Sequence, residues 1–464
     1  MPSQPLEASS ARRRRWRRGL TAAGLAGLLA TAGLAGPTLT RWSGLTPPAG
    51  AATIDPLRYA TPAPTPTPQP GPSGLSVSSA RSTLDPAQVA AGLAAAGAVA
   101  GSLAWAVLDP ADGRVLAQRE DQAALVPASC LKILTGAAVL ASLGPTHRFV
   151  TRTVWSGDDL VLVGGGDPYL TASSPSDYPN RASLVDLAEA TAEGLRRAGR
   201  TSLAVGWDDS LFTGPDWNPS WPASYSSEAV PTSALWLDRG RQAGVRSRTP
   251  AADAGAAFVQ ELRQRGIEVQ PLGRVLAPAQ AVELARVESA PLDLVVQEML
   301  RYSDNDVAEA LFRHIALAAG RDGSIAAAQA AMAERLGQLG LWSDGMVIDD
   351  GSGLSRANRA TASALALAVV RAVRRTDLRA VWAGLPVAAG DGTLRTRFDS
   401  SADGPGRGRV RAKTGTLNGV HTLTGLVQTR SGSVLALSLL VNQAVDAAAA
   451  RDWLDRAAAE LAAL

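Results

Sequence analysis

The sequence predicts an α/β (α+β) fold in which helices flank an antiparallel sheet and a second α/β domain is inserted into the first. Helix and hairpin signals occur together at both ends of the folded region, which is typical of an antiparallel sheet closed by both termini. Between about residues 148 and 288, strand-like and helical runs alternate instead, which indicates a separate layer. A chain of 464 residues also suits two domains better than one.

The terminal elements follow from local signals. Asp85 and Pro86 supply an N-cap and a first-turn proline for an alanine-rich helix that reaches about Ala96. Turn-forming residues at 109–113 and 430–432 each separate the two strands of a hairpin. The expected strands lie at 102–108 and 114–118, and at 421–429 and 433–441. An amphipathic helix is expected from about 447 to 461, so both ends of the chain should pack on one sheet.

Composition divides the chain into segments. Residues 1–41 combine an arginine block with an uncharged apolar stretch, which is the layout of a signal peptide or a membrane anchor. Residues 42–80 are rich in proline and threonine, cannot bury a core and should form a disordered linker, either an extended spacer or simply a disordered terminus. The first folded domain is expected at 81–147 and 289–464, and the inserted domain at 148–288.

Charge and cysteine content exclude several classes of protein. The net charge is +3, but residues 1–41 hold seven arginines and one glutamate, so the rest of the chain is mildly acidic. Because no basic stripe is present, nucleic-acid binding is not expected. Cys130 is the single cysteine and the three histidines form no HExxH motif, so we expect neither a metal nor a cofactor.

The two lysines are the most informative residues of the composition. Lysine and arginine total 45, and only Lys132 and Lys413 are lysine. Arginine stays protonated in proteins, whereas a desolvated lysine can lose its proton. Both positions are therefore candidates for proton transfer or for a compact positive charge.

The first of three motifs is S-x-x-K, formed by Ser129 and Lys132. A proline–alanine pair precedes it and an apolar run follows, which predicts that Ser129 lies in the first turn of a buried helix. Lys132 then lies one turn along the same face, where burial can lower its pKa so that it takes the serine proton. Alone, the motif is weak, because it often arises by chance.

The other two motifs are S-D-N at 303–305 and K-T-G at 413–415. The first should form a short connection between two helices, although it is also a common helix N-cap. The second lies in a predicted strand at 410–417, where Gly415 allows close approach of another backbone and Thr416 offers an N–H to an oxyanion hole. The ordered trio, which includes both lysines, is a known signature of class A β-lactamases and penicillin-binding proteins.

Four further stretches, at 164–170, 207–212, 350–356 and 390–394, extend the match. With the trio, they resemble the D-alanyl-D-alanine carboxypeptidases/endopeptidases of the class C low-molecular-mass penicillin-binding proteins. The resemblance covers the chain from about Ser82 to its end and implies a β-lactamase/transpeptidase-like fold. The long interval between the first two motifs fits the inserted domain.

The resemblance implies a role for each motif residue. Ser129 is expected to be the nucleophile and Lys132 its general base, while Ser303 and Lys413 assist proton transfer to the departing D-alanine. The substrate-binding residues implied in the same way are Asn305 for the peptide amide, Thr414, Gly415 and Thr416 for the terminal carboxylate, and Arg356 with Asp208 or Asp209 for the stem-peptide side chain.

The expected function is thus a serine D-Ala-D-Ala carboxypeptidase, with DD-endopeptidase activity left open. The peptidoglycan stem peptide is its expected partner, β-lactam antibiotics are expected covalent inhibitors, and the membrane is expected only at the N-terminal segment of an exported protein. Alternatives are a serine β-lactamase and a catalytically weak cell-wall-binding protein. The sequence contains no Glu-Pro-Glu-Leu-Asn-like loop for the former and no G-x-S-x-G of a Ser-His-Asp hydrolase.

Overall fold

The computed structural model describes residues 82–464 except 158, 175–180 and 243. The predicted signal or anchor at 1–41 and the predicted spacer at 42–80 lie outside the described residues. Within the described part of the chain, no helix has the length and apolar character needed to cross a membrane.

The helices and strands are numbered along the chain. The α-helices are α1 (Pro86–Ala95), α2 (Leu131–Leu143), α3 (Leu184–Arg197), α4 (Pro250–Gln264), α5 (Leu292–Tyr302), α6 (Asn305–Ala318), α7 (Ile325–Gln338), α8 (Ala362–Arg374), α9 (Arg379–Ala383) and α10 (Ala447–Ala463). The strands are β1 (Ser102–Leu108), β2 (Val115–Arg119), β3 (Val150–Ser156), β4 (Asp159–Val163), β5 (Ser202–Asp208), β6 (Arg241–Gln242), β7 (Val245–Arg246), β8 (Glu268–Arg274), β9 (Val282–Glu288), β10 (Val410–Leu417), β11 (Val420–Gln428) and β12 (Val434–Asn442).

The central sheet joins both ends of the folded chain. Its strand order is β10-β11-β12-β1-β2, and every neighbouring pair is antiparallel. Ser102 at the start of β1 pairs with Asn442 at the end of β12. The predicted antiparallel sheet closed by both termini is confirmed, and β10 forms one of its edges.

Helices cover both faces of this sheet. The helix α2 is apolar on nearly all sides and is buried against α5, α6, α7 and α8, because a helix without a polar face cannot remain at the surface. On the opposite face, α1 and α10 pack on the sheet, where Trp453 and Leu461 join the core. The central helix α2 therefore has rigid support on every side.

The segment between α2 and α5 forms the expected second α/β layer. Its sheet has the order β8-β5-β4-β3-β9, with parallel pairing of β4 with β5 and of β5 with β8. The helices α3 and α4 pack their apolar faces against it through residues such as Leu187 and Phe258. The inserted layer agrees with the predicted fold class, while the division into independent domains stays a prediction.

Candidate active site

Ser129 lies in a tight turn that leads into the buried helix α2. A 3₁₀ turn spans Ala128–Cys130, and the α-helix begins at Leu131. Ser129 was predicted in the first turn of a buried helix; it lies two residues before the first residue of the α-helix, in a 3₁₀ turn that continues directly into it. Ala128 has a positive φ of 46°, which an α-helix does not permit. Such strained backbone beside a candidate nucleophile persists only where neighbouring structure enforces it.

Two glycines allow neighbouring backbone to pack closely against this turn. A Cβ atom at position 353 would overlap the carbonyl oxygen of Ala128. At position 415 it would collide with the Thr422 hydroxyl and would lie 2.9 Å from the carbonyl oxygen of Pro127. Gly415 thus allows the close backbone approach that the sequence predicted. Both glycines belong to stretches that carry the family resemblance. In the structure, each of these stretches packs closely against the Ser129 turn.

Lys132 is completely buried and points at the serine. Its Nζ atom lies 3.1 Å from Ser129 Oγ. It also donates to Asn305 Oδ1 at 2.7 Å and to the carbonyl oxygen of Ser352 at 2.6 Å. A neutral amine has two protons for the latter two acceptors and a lone pair that can face the serine hydroxyl. The arrangement is therefore that of a nucleophile with its base.

The S-D-N triplet forms the predicted connection between α5 and α6. Ser303 ends α5 in the left-handed conformation, with φ 58° and ψ 38°. Asp304 caps α6 by accepting from the Val307 N–H at 3.2 Å and forms an ion pair with Arg239 at 2.7 Å. Asp304 therefore caps the helix, while its neighbours Ser303 and Asn305 contribute side chains to the site. Asn305 follows the cap, and its Nδ2 donates to the carbonyl oxygen of Glu228 at 3.0 Å.

The K-T-G motif lies on the edge strand β10. Lys413 is completely buried, and its Nζ donates to Ser303 Oγ at 2.8 Å and to the Thr414 carbonyl at 2.6 Å. The Ala412 N–H donates to the carbonyl oxygen of Pro386 at 2.9 Å, on the side of β10 that faces away from β11. Because alternate peptide groups of a strand point to the same edge, those of Thr414 and Thr416 face this outer edge too.

Thr393 is a site residue that the sequence analysis did not single out. Its hydroxyl accepts a hydrogen bond from Thr414 Oγ1 at 3.1 Å. It belongs to the Gly-rich stretch 390–394, so the family resemblance marked the segment without identifying this side chain. The two hydroxyls lie next to Lys413 in the site, where they can bind an anionic group.

Burial changes the proton affinity of both lysines. Desolvation lowers the pKa of Lys132 to about 8, although the nearby carboxylates of Asp350 and Glu309 oppose the shift. Desolvation and the charge of Lys132 lower the pKa of Lys413 to about 7. Neutral amines are therefore accessible near physiological pH. By contrast, burial raises the pKa of the Cys130 thiol, which contacts the Lys413 carbonyl and Thr422 inside the core.

The structure places the last two predicted binding residues apart. Arg356 is exposed and donates to the carbonyl oxygen of Asn418 at 2.9 Å, just beyond the K-T-G strand. Asp208 is buried at the end of β5, and its carboxylate accepts from the N–H groups of Ser210 and Ala277, both at 2.8 Å. Asp208 and Asp209 were the two carboxylates predicted as partners of Arg356. Asp208 is bound by these two backbone N–H groups, and Asp209 pairs with Arg274.

Comparison with known proteins agrees with this geometry. The model of the D-Ala-D-Ala carboxypeptidase 3 (S13) family matches residues 86–244 and 237–463. Carboxypeptidase Rv3627c of Mycobacterium tuberculosis is 38% identical over 420 residues, which cover 84% of this chain and 89% of that protein. The chain belongs to the D-Ala-D-Ala carboxypeptidase 3 (S13) family.

A further relative supports the family assignment, and a solved structure supports the fold. The D-alanyl-D-alanine carboxypeptidase of Actinomadura sp. (strain R39) is 30% identical over 427 residues, covering 75% of this chain and 78% of its own length. The crystal structure of penicillin binding protein 4 from Haemophilus influenzae superposes with a TM-score of 0.66 at 20% identity, covering 79% of this chain and 97% of that chain. The predicted fold class, family and enzyme class, a serine hydrolase of the D-Ala-D-Ala carboxypeptidase type, are confirmed.

Proposed function

We propose that this S13 carboxypeptidase removes the terminal D-alanine from peptidoglycan stem peptides through an acyl-enzyme on Ser129. The observation that carries the proposal is the 3.1 Å contact between Lys132 Nζ and Ser129 Oγ. The contact lies in a site where burial lowers the pKa of this lysine to about 8. A serine hydroxyl needs such a base, because it is a weak nucleophile when protonated.

Acylation follows from the contacts of the two lysines. Neutral Lys132 takes the proton of Ser129, and Oγ attacks the carbonyl carbon of the penultimate D-alanine. The N–H groups of Ser129 and Thr416 stabilise the resulting oxyanion, for which the outer-edge orientation of the Thr416 peptide group is suitable. The carbon–nitrogen bond then breaks, and the departing D-alanine nitrogen takes a proton from Ser303, which Lys413 replaces across 2.8 Å. Water later hydrolyses the ester.

Substrate binding uses the open edge of β10. The positive charge of Lys413 and the hydroxyls of Thr414, Thr416 and Thr393 hold the terminal carboxylate. Asn305 keeps Lys132 in place through Oδ1, and the N–H of its amide that is not bound to the Glu228 carbonyl can donate to the peptide. A substrate that pairs with the edge strand would thus be fixed at both its amide and its carboxylate.

A cavity beyond the K-T-G strand fits the stem-peptide side chain. It has a volume of about 350 Å³, and Arg356 and Arg359 line it together with Gly419 and Gln443. No carboxylate is among its lining residues, so an anionic substrate group can meet both guanidinium groups there. This supports Arg356 as a binding residue and favours a side chain that carries a carboxylate. Asp208 lines a different cavity and stays the weaker prediction.

The proposed function implies two further properties, which are inhibition by β-lactams and export of the protein. The Haemophilus influenzae penicillin binding protein 4 has been crystallised with a β-lactam, and we propose that this chain is acylated in the same way. Because the stem peptide lies outside the cytoplasm, the proposal also requires residues 1–41 to act as an export signal or anchor, with 42–80 as the spacer.

Intact-protein mass spectrometry tests the function. The protein is incubated with benzylpenicillin and, separately, with a diacyl peptide that ends in D-Ala-D-Ala. A stable adduct with the first and released D-alanine with the second are expected, and both should vanish in Ser129→Ala. Rapid hydrolysis of penicillin without release of D-alanine would instead identify a β-lactamase. Inactivity toward both, with binding to isolated wall, would identify a wall-binding protein.

A further inference from the structure

Glu309 is a buried carboxyl group below the catalytic lysine. It lies on α6 one turn after Asn305, on the same face of the helix, and is only 4% exposed. Its Oε1 atom accepts from the N–H of Gly351 at 3.0 Å and from the N–H of Ser352 at 2.7 Å. A single side chain thus holds two consecutive peptide groups of the loop 350–353.

The loop passes this constraint to Lys132. The carbonyl oxygen of Ser352 accepts from Lys132 Nζ at 2.6 Å, while the N–H of the same residue is bound by Glu309. Thr135 on α2 donates to the Gly351 carbonyl at 2.7 Å from the other side. Gly351 has no room for a Cβ atom, which would lie 2.6 Å from the carbonyl oxygen of Ala308. The loop is therefore held tightly between α2 and α6.

We propose that Glu309 is a positioning residue for the catalytic base. By holding the amides of Gly351 and Ser352, it fixes the Ser352 carbonyl, and this carbonyl holds the Lys132 amine against Ser129. The inference rests on the proposed role of Lys132 as the general base. It assigns Glu309 no contact with the substrate and no transfer of a proton to the reacting atoms.

The surroundings of Glu309 predict which substitution preserves this role. Burial and the charge of Asp350 raise the pKa of Glu309 to about 8, whereas hydrogen bonding to Ser352 and the charge of Arg313 act in the opposite direction. The group is thus mostly neutral at pH 7, and a neutral carboxyl still accepts through its carbonyl oxygen. Glutamine has the same shape and the same acceptor, whereas leucine has neither polar atom.

The test compares variants of the full chain by acylation rate and thermal midpoint. The second-order rate of acylation by benzylpenicillin is measured from pH 6 to 9 for Glu309→Gln, Glu309→Leu and Glu309→Asp. Glu309→Gln should stay within about threefold of the wild type. Glu309→Leu should lose about 100-fold, because a displacement of about 1 Å at a catalytic group costs this much. The acid limb of its pH profile, where the rate falls as Lys132 becomes protonated, should move to lower pH. The reason is that a Ser352 carbonyl released from its position no longer stabilises the ammonium form of Lys132.

Two controls separate positioning from general damage to the fold. Glu309→Asp keeps the carboxylate but withdraws it from the two amides, so it should lose activity even if Glu309→Leu fails to fold. Asp455→Asn removes a buried carboxylate that pairs with Arg397 on the opposite face of the sheet. It should lower the thermal midpoint without changing the acid limb.

Three results would overturn the inference. The first is acylation at the wild-type rate with an unchanged acid limb in both Glu309→Leu and Glu309→Asp. The second is a loss in Glu309→Gln as large as in Glu309→Leu, which would require the ionised carboxylate rather than its acceptor atom. The third is a shifted acid limb in Asp455→Asn. Failure of the wild type to form any adduct would instead count against the proposed function.

Discussion

Acylation of Ser129 should depend steeply on pH because its base is a buried lysine. The pKa of Lys132 falls from 10.5 to about 8, which corresponds to about 3 kcal/mol in favour of the neutral amine. Roughly 1% of this lysine is neutral at pH 6, roughly half at pH 8 and roughly 90% at pH 9. Because the proposed reaction also uses protonated Lys413, whose pKa is about 7, the acylation rate constant should be largest between pH 7 and pH 8 and should fall on both sides of that range. The fall on the acid side should follow the loss of the neutral Lys132 amine, and the fall on the alkaline side the loss of the Lys413 ammonium.

The assay is stopped-flow or quenched labelling with a fluorescent penicillin at saturating and subsaturating concentrations. In Lys132→Arg, the side chain keeps its charge but cannot release a proton, so the rate should fall by at least about 10²-fold at every pH. Lys413→Ala should lower the rate but retain an acid limb. Its persistence would assign the acid limb to Lys132, and loss of the alkaline limb in the same variant would assign that limb to Lys413, whose pKa is about 7.

Three outcomes would refute the reasoning. A rate that is flat from pH 6 to 9 would mean that no group with a pKa near 8 acts as the base. An acid limb near pH 4 to 5 would indicate a carboxylate base, since unperturbed Asp and Glu titrate there. Near-normal acylation in Lys132→Arg would exclude proton removal by this side chain altogether.

Further predictions follow from single contacts. Ser303→Ala should lower acylation by about 10²–10⁴-fold with little change in thermal midpoint, because its hydroxyl contacts the Lys413 amine at 2.8 Å; an unchanged rate would remove it from the proton path. Gly353→Ala should cost at least about 2 kcal/mol in urea denaturation, because its φ is +84° and a Cβ would overlap Ala128 O. Wild-type stability would show that the loop can move. Cys130 should resist iodoacetamide in the native protein and react in urea, as judged by mass spectrometry, because it is buried with a raised pKa. Fast native labelling would contradict its burial.

Much of the fold could be predicted because its signals are local. Asp85 accepts from Ala87 N–H and completes a capping box with Gln88, as a cap followed by a proline leads one to expect. The predicted strand 410–417 has the observed bounds of β10, where apolar alternation and the following turn define both ends. The predicted strands of the final hairpin differ from the observed ones by a single residue at each end. Turn residues fix such pairings without information from distant parts of the chain.

The parts of the site that could not be predicted from the sequence depend on tertiary contacts. Glu309 lies four residues after Asn305, so its place on the same helix face was available from spacing alone. Its partners are backbone N–H groups of a loop, and no side-chain pattern marks a backbone donor. Thr393 is another example, because only the path of the chain past β10 brings its hydroxyl to Thr414. The left-handed Ala128 gave no signal either, since alanine ordinarily favours the helix.

The structure explains why lysine survives at two positions in a chain that otherwise uses arginine. Lys132 and Lys413 are completely buried, and burial lowers the pKa of both into the range where a proton can be exchanged near neutrality. An arginine at either position would remain charged, and its planar fork would not fit the contacts that a compact ammonium makes at 2.6–3.1 Å. Elsewhere in the chain a permanent charge suffices, and arginine provides it. The composition therefore marks the two positions whose charge changes in the proposed reaction.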